Sequence, residues 1–289
     1  MIAVFGPTAS GKSAVAAALA ARLDGVLVSC DAMQVYRGLP ILTNQPAEPT
    51  ELVAIWPLER EASVGDYAPR AHAVIDEALA SKRPPIVVGG TGLYLRAALA
   101  ELDIPPPGPP ELRKRLEDLY ERDRGYEAHA LLVERDPEAA RAIHVNDRRR
   151  VIRALELAEL GRTLRPKAPT LWTDETRHPT LLVGLELDPA ELERRIVERA
   201  REMIALGARE EAQSALAGPI STTASRVIGL REAAELDDQA AAEAIAIKTR
   251  RYAAYQRKWM RRIPNTSLIS GTGRAEAIAD AVLEMARSR

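Results

Sequence analysis

Residues 6 to 13 read Gly6-Pro7-Thr8-Ala9-Ser10-Gly11-Lys12-Ser13, a complete G-x-x-x-x-G-K-[ST] phosphate-binding loop. It follows the apolar run Met1 to Phe5 and precedes the Ala-rich stretch Ala14 to Arg22, so the pattern reads strand, loop, helix. Gly6 and Gly11 let the backbone curl so that successive N–H groups face an anion, and the following helix adds the positive end of its dipole. Thr8, Ala9 and Ser10 complete the cradle. Lys12 supplies a point charge, and the Ser13 hydroxyl is placed to ligate magnesium. A compound with two or more linked phosphates is expected here. The loop does not state which one, or what is done with it.

Composition narrows the setting. The 289 residues suffice for one large domain plus a small one, and 46% hydrophobic residues with a net charge of −1 indicate a soluble globular chain. No apolar stretch reaches the length of a membrane span, and the opening strand and loop leave no room for a signal peptide, so a cytoplasmic protein is expected. The single cysteine, Cys30, excludes an internal disulfide and reads as a small buried side chain. His72, His129, His144 and His178 are scattered without ligand spacing, which argues against zinc. The near-zero net charge conceals segregation. Lys248 to Arg262 holds seven basic residues and no acid, interleaved with Tyr252, Tyr255 and Trp259, and Asp147 to Arg153 holds four arginines. Such clusters suit a polyanion with bases that stack, although each also fits a solvated helix face.

Short apolar runs alternating with helical stretches predict an α/β core. Strands are expected at Met1 to Phe5, Val26 to Cys30, Pro85 to Val88 and Leu181 to Leu187, with helices at Ala14 to Arg22 and Pro69 to Ser81. Three strand ends then converge at the carboxyl edge of a parallel sheet: the phosphate loop, Asp31, and Thr91 of Gly89-Gly90-Thr91-Gly92. Five prolines within Ile104 to Pro110 break this pattern as a stiff linker. Helices follow at Glu111 to Tyr120, around Tyr126 to Glu134, at Pro137 to Ile143 and at Asp147 to Leu160, with Gly161 as a C-cap. The broken stretch Arg165 to Pro169 closes this insert. After the fourth strand the rest reads as helical: Pro189 to Leu206, Ala208 to Leu216, Arg231 to Leu236 and Gln239 to Met260. The expected organisation is a discontinuous core, 1–103 and 168–289, carrying an all-helical insertion, 104–167.

Asp31 fits two roles. It is a candidate for the magnesium-holding carboxylate of a kinase or hydrolase. The segment Ala32-Met33-Gln34-Val35-Tyr36-Arg37-Gly38 behind it could instead receive a planar base, leaving Asp31 as general base toward a nucleophile attacking the other end of the ligand.

The strings GPTASGKS, DAMQVYRG, VVGGTGLYLRA, DPEAARAIHVNDRRRVIRALEL and TRRYAAYQRKWMRR, in this order and spacing, resemble the tRNA isopentenyltransferase (tRNA dimethylallyltransferase) family over nearly the whole chain. The resemblance implies a P-loop NTPase-like parallel-sheet core. It also implies that the loop holds the diphosphate of dimethylallyl diphosphate, with magnesium on Ser13 and on Asp31 through a water. The prenyl group would pass to the exocyclic amine of the adenosine just 3′ of the anticodon in tRNA, with Asp31 as base. Asp31, Ala32, Met33 and Gln34 would meet the target adenine, and Thr91 the junction of diphosphate and base. Arg199 aligns with an arginine the family places near the diphosphate, its alternative being an ion pair on a helix rich in Glu and Arg. Arg113, Arg149, Arg150, Arg153, Arg226, Arg231 and Gln256 would grip the anticodon stem-loop, with Arg150 and Arg153 alternatively paired to Glu156 or Asp147. A monomer is implied. The chain departs from the family pattern at Ala32, at Leu42 to Pro46, which lacks a lysine, and at Ala254-Tyr255, where two basic residues are usual. Rival readings are a small-molecule or nucleoside kinase, a non-catalytic RNA-binding protein, and a prenyltransferase acting on free AMP.

Overall fold

The computed structural model describes residues 1–105, 108–164 and 170–288. Pro106 and Pro107 of the expected linker, and residues 165–169 that were expected to close the insert, lie outside them.

The elements in chain order are β1 (Ile2–Phe5), α1 (Lys12–Leu23), β2 (Val26–Ser29), α2 (Val64–Ala80), β3 (Pro85–Gly89), α3 (Gly92–Leu99), α4 (Pro110–Arg122), α5 (Tyr126–Arg135), α6 (Pro137–Ala142), α7 (Arg148–Glu159), β4 (Leu181–Glu186), α8 (Pro189–Ala205), α9 (Ala208–Leu216), α10 (Leu230–Glu235), α11 (Asp238–Arg262), β5 (Thr266–Ser270) and α12 (Ala275–Arg287). Two compact units result: Met1–Leu102 with Leu171–Arg289, and Asp103–Thr170.

The first unit is built on a five-stranded parallel sheet in the order β2-β3-β1-β4-β5. β1 and β3 are buried at every residue, as expected of parallel strands covered on both faces. Ile2, Val4, Ile86, Val88 and Val183 share a cluster with Val15, Ala16 and Leu19 of α1 and Ile278, Ala279 and Val282 of α12. α2 and α3 pack on each other and on β2 and β3. A second cluster joins Ile196, Ala200 and Met203 of α8 to Ile245, Ala246 and Ala253 of α11 and to α9 and α10. The other unit is α4 to α7, closed around Leu116, Tyr120, Leu132, Val151, Ile152 and Leu155.

Four elements differ from the sequence expectation. α2 starts at Val64 rather than Pro69, because Ser63 caps it by accepting the Asp66 N–H at 3.2 Å; the proline lies inside the helix. β5 falls in the segment expected to be helical. It is an edge strand of sequence TSLIS, only partly buried, and so carries no apolar run to announce it. Residues of α3 and α12 also form helices that the sequence pattern left unassigned. Among the described residues no helix is long and apolar enough to cross a membrane.

Candidate active site

β1, β2 and β3 end side by side, and the loops that leave them carry the phosphate-binding motif, Asp31 and Thr91. The motif turns sharply at Ala9, φ 64°, and at Gly11, φ 84°, the left-handed region that glycine enters without cost. α1 therefore begins at Lys12, and among the described residues the N–H groups of Gly11, Lys12 and Ser13 are bonded to no backbone acceptor. Two other members of the predicted cradle are committed elsewhere. The Thr8 N–H donates to Gln256 Oε1 at 2.8 Å, and the Ser10 N–H donates to the Pro7 carbonyl at 3.2 Å. Among the described residues the Ser10 hydroxyl, buried beneath Gly6, has no hydrogen-bond partner.

One cleft is lined by Thr8, Lys12, Ser13, Asp31, Met33 and Gln34, and also by Arg199 of α8 and Tyr252 and Gln256 of α11. Apolar residues also line it: Leu42, Ile196, Met203, Val227, Ile228 and Ile245, with Ile196 and Met203 on the same face of α8 as Arg199. Lys12 Nζ donates to the Pro7 carbonyl at 3.2 Å. Burial pushes its ammonium down to about 8; the Arg199 charge adds to this, and Asp31 and Cys30 oppose it. Burial likewise holds the Arg199 guanidinium below its ordinary value, against the attraction of Asp31 and Glu202. Arg194 and Arg195 on the same helix pair with Glu191, and Arg194 also with Glu198. Among the described residues Arg199 has no such ion pair, which answers the alternative the sequence left open.

Asp31 Oδ1 accepts the Met33 N–H at 3.0 Å, an Asx turn that holds the carboxylate at the strand end. The Ala32 N–H donates to Thr91 Oγ1 at 3.2 Å, and Thr91 Oγ1 lies 3.2 Å from the Tyr252 phenol. Gln34 is spoken for: its Oε1 accepts from Ser29 Oγ at 2.9 Å, and its Nε2 donates to the carbonyls of Asn44 at 2.8 Å and Thr43 at 3.2 Å. It fixes the cleft wall and has no amide proton left for a base.

Gln256, expected on the RNA surface, is 1% exposed. It donates from Nε2 to the Gly90 carbonyl at 3.0 Å while accepting from Thr8. A Cβ on Gly90 would stand 2.1 Å from that side chain, and one on Gly92 would stand 2.3 Å from the Trp259 ring. Gly90 and Gly92 of this turn are required because α11 lies directly against them, and Gly89 because Cys30 stands 2.6 Å from where its Cβ would be.

The basic residues divide. Arg113 and Arg153 both bond to Glu156, at 3.3 and 3.0 Å, and Glu156 is 1% exposed; Arg153 also donates to the Pro105 carbonyl at 2.7 Å. These two hold the helical unit together rather than standing free for a polyanion. Arg150 is 67% exposed with a 3.5 Å contact to Asp147, Arg231 is 66% exposed with a 3.9 Å contact to Glu235, and Arg149 and Arg226 are exposed. Sequence reading missed Tyr252 and the apolar lining. Tyr252 is 161 residues from Thr91, and nothing local to either marks the pairing.

Among the described residues no group of three His, Cys, Asp or Glu side chains could hold a metal. A magnesium ion suits this site only through a hydroxyl, one carboxylate and ligand phosphates, and Ser13 in the cleft, with no side-chain partner among the described residues, fits that donor set.

A family model described as IPP transferase matches residues 34–263. The tRNA dimethylallyltransferase of Salinispora arenicola is 38% identical over 98% of this chain and 85% of its own. That of Anaeromyxobacter dehalogenans is 40% identical over 96% and 97%. Among solved structures, the full-length tRNA isopentenylpyrophosphate transferase from Bacillus halodurans has a TM-score of 0.70 at 29% identity, covering 99% of this chain and 95% of its own.

Proposed function

The chain belongs to the IPP transferase family, and on that premise we propose that it moves the dimethylallyl group of dimethylallyl diphosphate to the exocyclic amine of the adenosine 3′ of the anticodon in tRNA, releasing diphosphate. The observation that carries the reading is that one cleft combines cationic and apolar lining. Lys12, Arg199 and the start of α1 bring positive charge to it, and Ile196, Met203, Val227, Ile228 and Ile245 bring apolar surface, with Ile196, Arg199 and Met203 on one face of α8. A five-carbon allyl group linked to a diphosphate needs both. A transferred phosphoryl group does not ask for the apolar surface, which weighs against the kinase reading; a prenyltransferase acting on free AMP would share it.

In this reading the free N–H groups of Gly11, Lys12 and Ser13, with Lys12 and Arg199, bind the diphosphate and stabilise the charge that develops as the allylic C–O bond breaks. The electron pair stays on the diphosphate oxygen. The adenine nitrogen forms the new bond to the allylic carbon, and its proton goes to Asp31. The apolar lining excludes water from the allylic centre, where hydrolysis would compete. Magnesium, when bound, would be held by Ser13, with Asp31 through a water, and would neutralise diphosphate charge. The base must leave its stack to reach the cleft. Exposed Arg149, Arg150, Arg226 and Arg231 are the contacts for the anticodon stem-loop, and a cytoplasmic monomer is the working form.

The test is transfer of label from radioactive dimethylallyl diphosphate, with magnesium, into unmodified tRNA carrying adenosine 3′ of the anticodon, beside an Asp31→Ala control. Label in tRNA that the substitution abolishes supports the reading. Transfer to AMP, or turnover of ATP without RNA, would replace it.

A further inference from the structure

Thr91 Oγ1 is approached by two groups, the Ala32 N–H at 3.2 Å and the Tyr252 phenol at 3.2 Å. A threonine hydroxyl offers one proton and two lone pairs. If the phenol donates, both lone pairs are filled and the Thr91 proton has a single direction left, away from both neighbours. If Thr91 donates, its proton is consumed and the phenol is left over. The phenol is the more acidic hydroxyl and its conjugated oxygen the weaker acceptor, which favours the first arrangement. Burial and the Asp31 charge both raise the Tyr252 phenol above its ordinary value, so it keeps its proton to donate. Among the described residues the Thr91 hydroxyl has no acceptor for its own proton.

Thr91 follows Gly90, whose carbonyl is tied through Gln256 to Thr8 of the phosphate loop, and its other side is bonded to Ala32, next to Asp31. Thr91 is thereby tied to the phosphate loop on one side and to the Asp31 turn on the other, beside Tyr252 of the cleft lining. Tyr252 lines the cleft, and its ring is held in a stack with Tyr255, centroids 6.5 Å apart.

We propose that Tyr252 is a positioning residue: by donating its phenolic proton to Thr91, it orients the Thr91 hydroxyl to hydrogen-bond the oxygen from which the allylic carbon departs. The inference rests on the prenyl-transfer reading above. No proton is transferred in this step. The Thr91 hydrogen bond strengthens as charge builds on the leaving oxygen, so its contribution is realised in the transition state and affects kcat rather than KM.

The experiment is steady-state transfer from labelled dimethylallyl diphosphate to tRNA for wild type, Tyr252→Phe, Thr91→Val and the double variant, with the Kd for inorganic diphosphate as a check on folding. Phenylalanine keeps the ring stack and removes only the donor. The expected result is a kcat lowered about 10- to 100-fold in Tyr252→Phe, with both KM values within about twofold of wild type. In the Thr91→Val background, Tyr252→Phe should lower kcat no further, because the two act as one unit. A merely structural role would instead weaken diphosphate binding and multiply with Thr91→Val; either of these, or an unchanged kcat in Tyr252→Phe, overturns the proposal. Absence of transfer in the wild type would remove the prenyl-transfer reading and this inference with it.

Discussion

The Gln256 carboxamide closes a bridge between two loops, accepting the Thr8 N–H at 2.8 Å and donating to the Gly90 carbonyl at 3.0 Å. It thereby ties α11 to the phosphate loop across 248 residues of sequence. Gln256→Met keeps the volume and orphans both backbone groups. An unpartnered buried polar group costs about 1–3 kcal/mol, so with two of them the variant should lose roughly 2–6 kcal/mol in urea unfolding. It should also raise the KM for dimethylallyl diphosphate by loosening the loop. The affinity for tRNA should stay near wild type, which would separate this role from an RNA contact.

Lys12 sets an alkaline limit on donor capture. Its folded pKa is depressed to about 8, so the free enzyme loses this charge as pH rises through that value. Because kcat/KM reports the free enzyme, kcat/KM for dimethylallyl diphosphate should fall as pH rises through about 8. Arg199 lowers the Lys12 pKa, so Arg199→Gln should move the fall to higher pH while weakening donor binding overall. A pH series on the two proteins checks both the position and the direction.

What the sequence disclosed and what it hid have physical reasons. The phosphate loop was legible because its eight residues are contiguous, and Asp31 and Thr91 because a parallel sheet brings strand ends to one edge. Arg199 was ambiguous because Arg194, Arg195 and Arg199 look alike in a string. The fold separates them by turning the first two toward Glu191 and the third toward Lys12 and Asp31. Gln256 and Tyr252 were opaque, since their partners lie more than 160 residues away. β5 was opaque because an edge strand needs little apolar sequence.

The arginines of the helical unit should sort by partner. Glu156→Gln leaves Arg113 and Arg153 facing a neutral group at a buried position and should destabilise the chain by about 1–3 kcal/mol, measured by thermal or urea unfolding. Arg149→Ala, at an exposed position, should leave stability within about 0.5 kcal/mol. It should instead weaken tRNA binding and reduce the slope of log K against log salt by about one. Binding isotherms at four salt concentrations separate the two classes.

Asp31 carries two loads, and Asp31→Asn removes one of them. The carboxamide oxygen of the variant could still accept the Met33 N–H and keep the turn, but the side chain could not take the adenine proton. A positioned base contributes about 10²- to 10⁴-fold, so Asp31→Asn should lower kcat within that range. The carboxylate also raises the Lys12 pKa, so its loss lets burial and Arg199 depress that ammonium further. The alkaline fall in kcat/KM for the donor should then move to lower pH, opposite in sign to the Arg199→Gln shift. A lowered kcat with an unmoved alkaline limb would mean that Asp31 acts on the proton without sensing Lys12. An acid-shifted limb would place both groups in one electrostatic unit around the diphosphate.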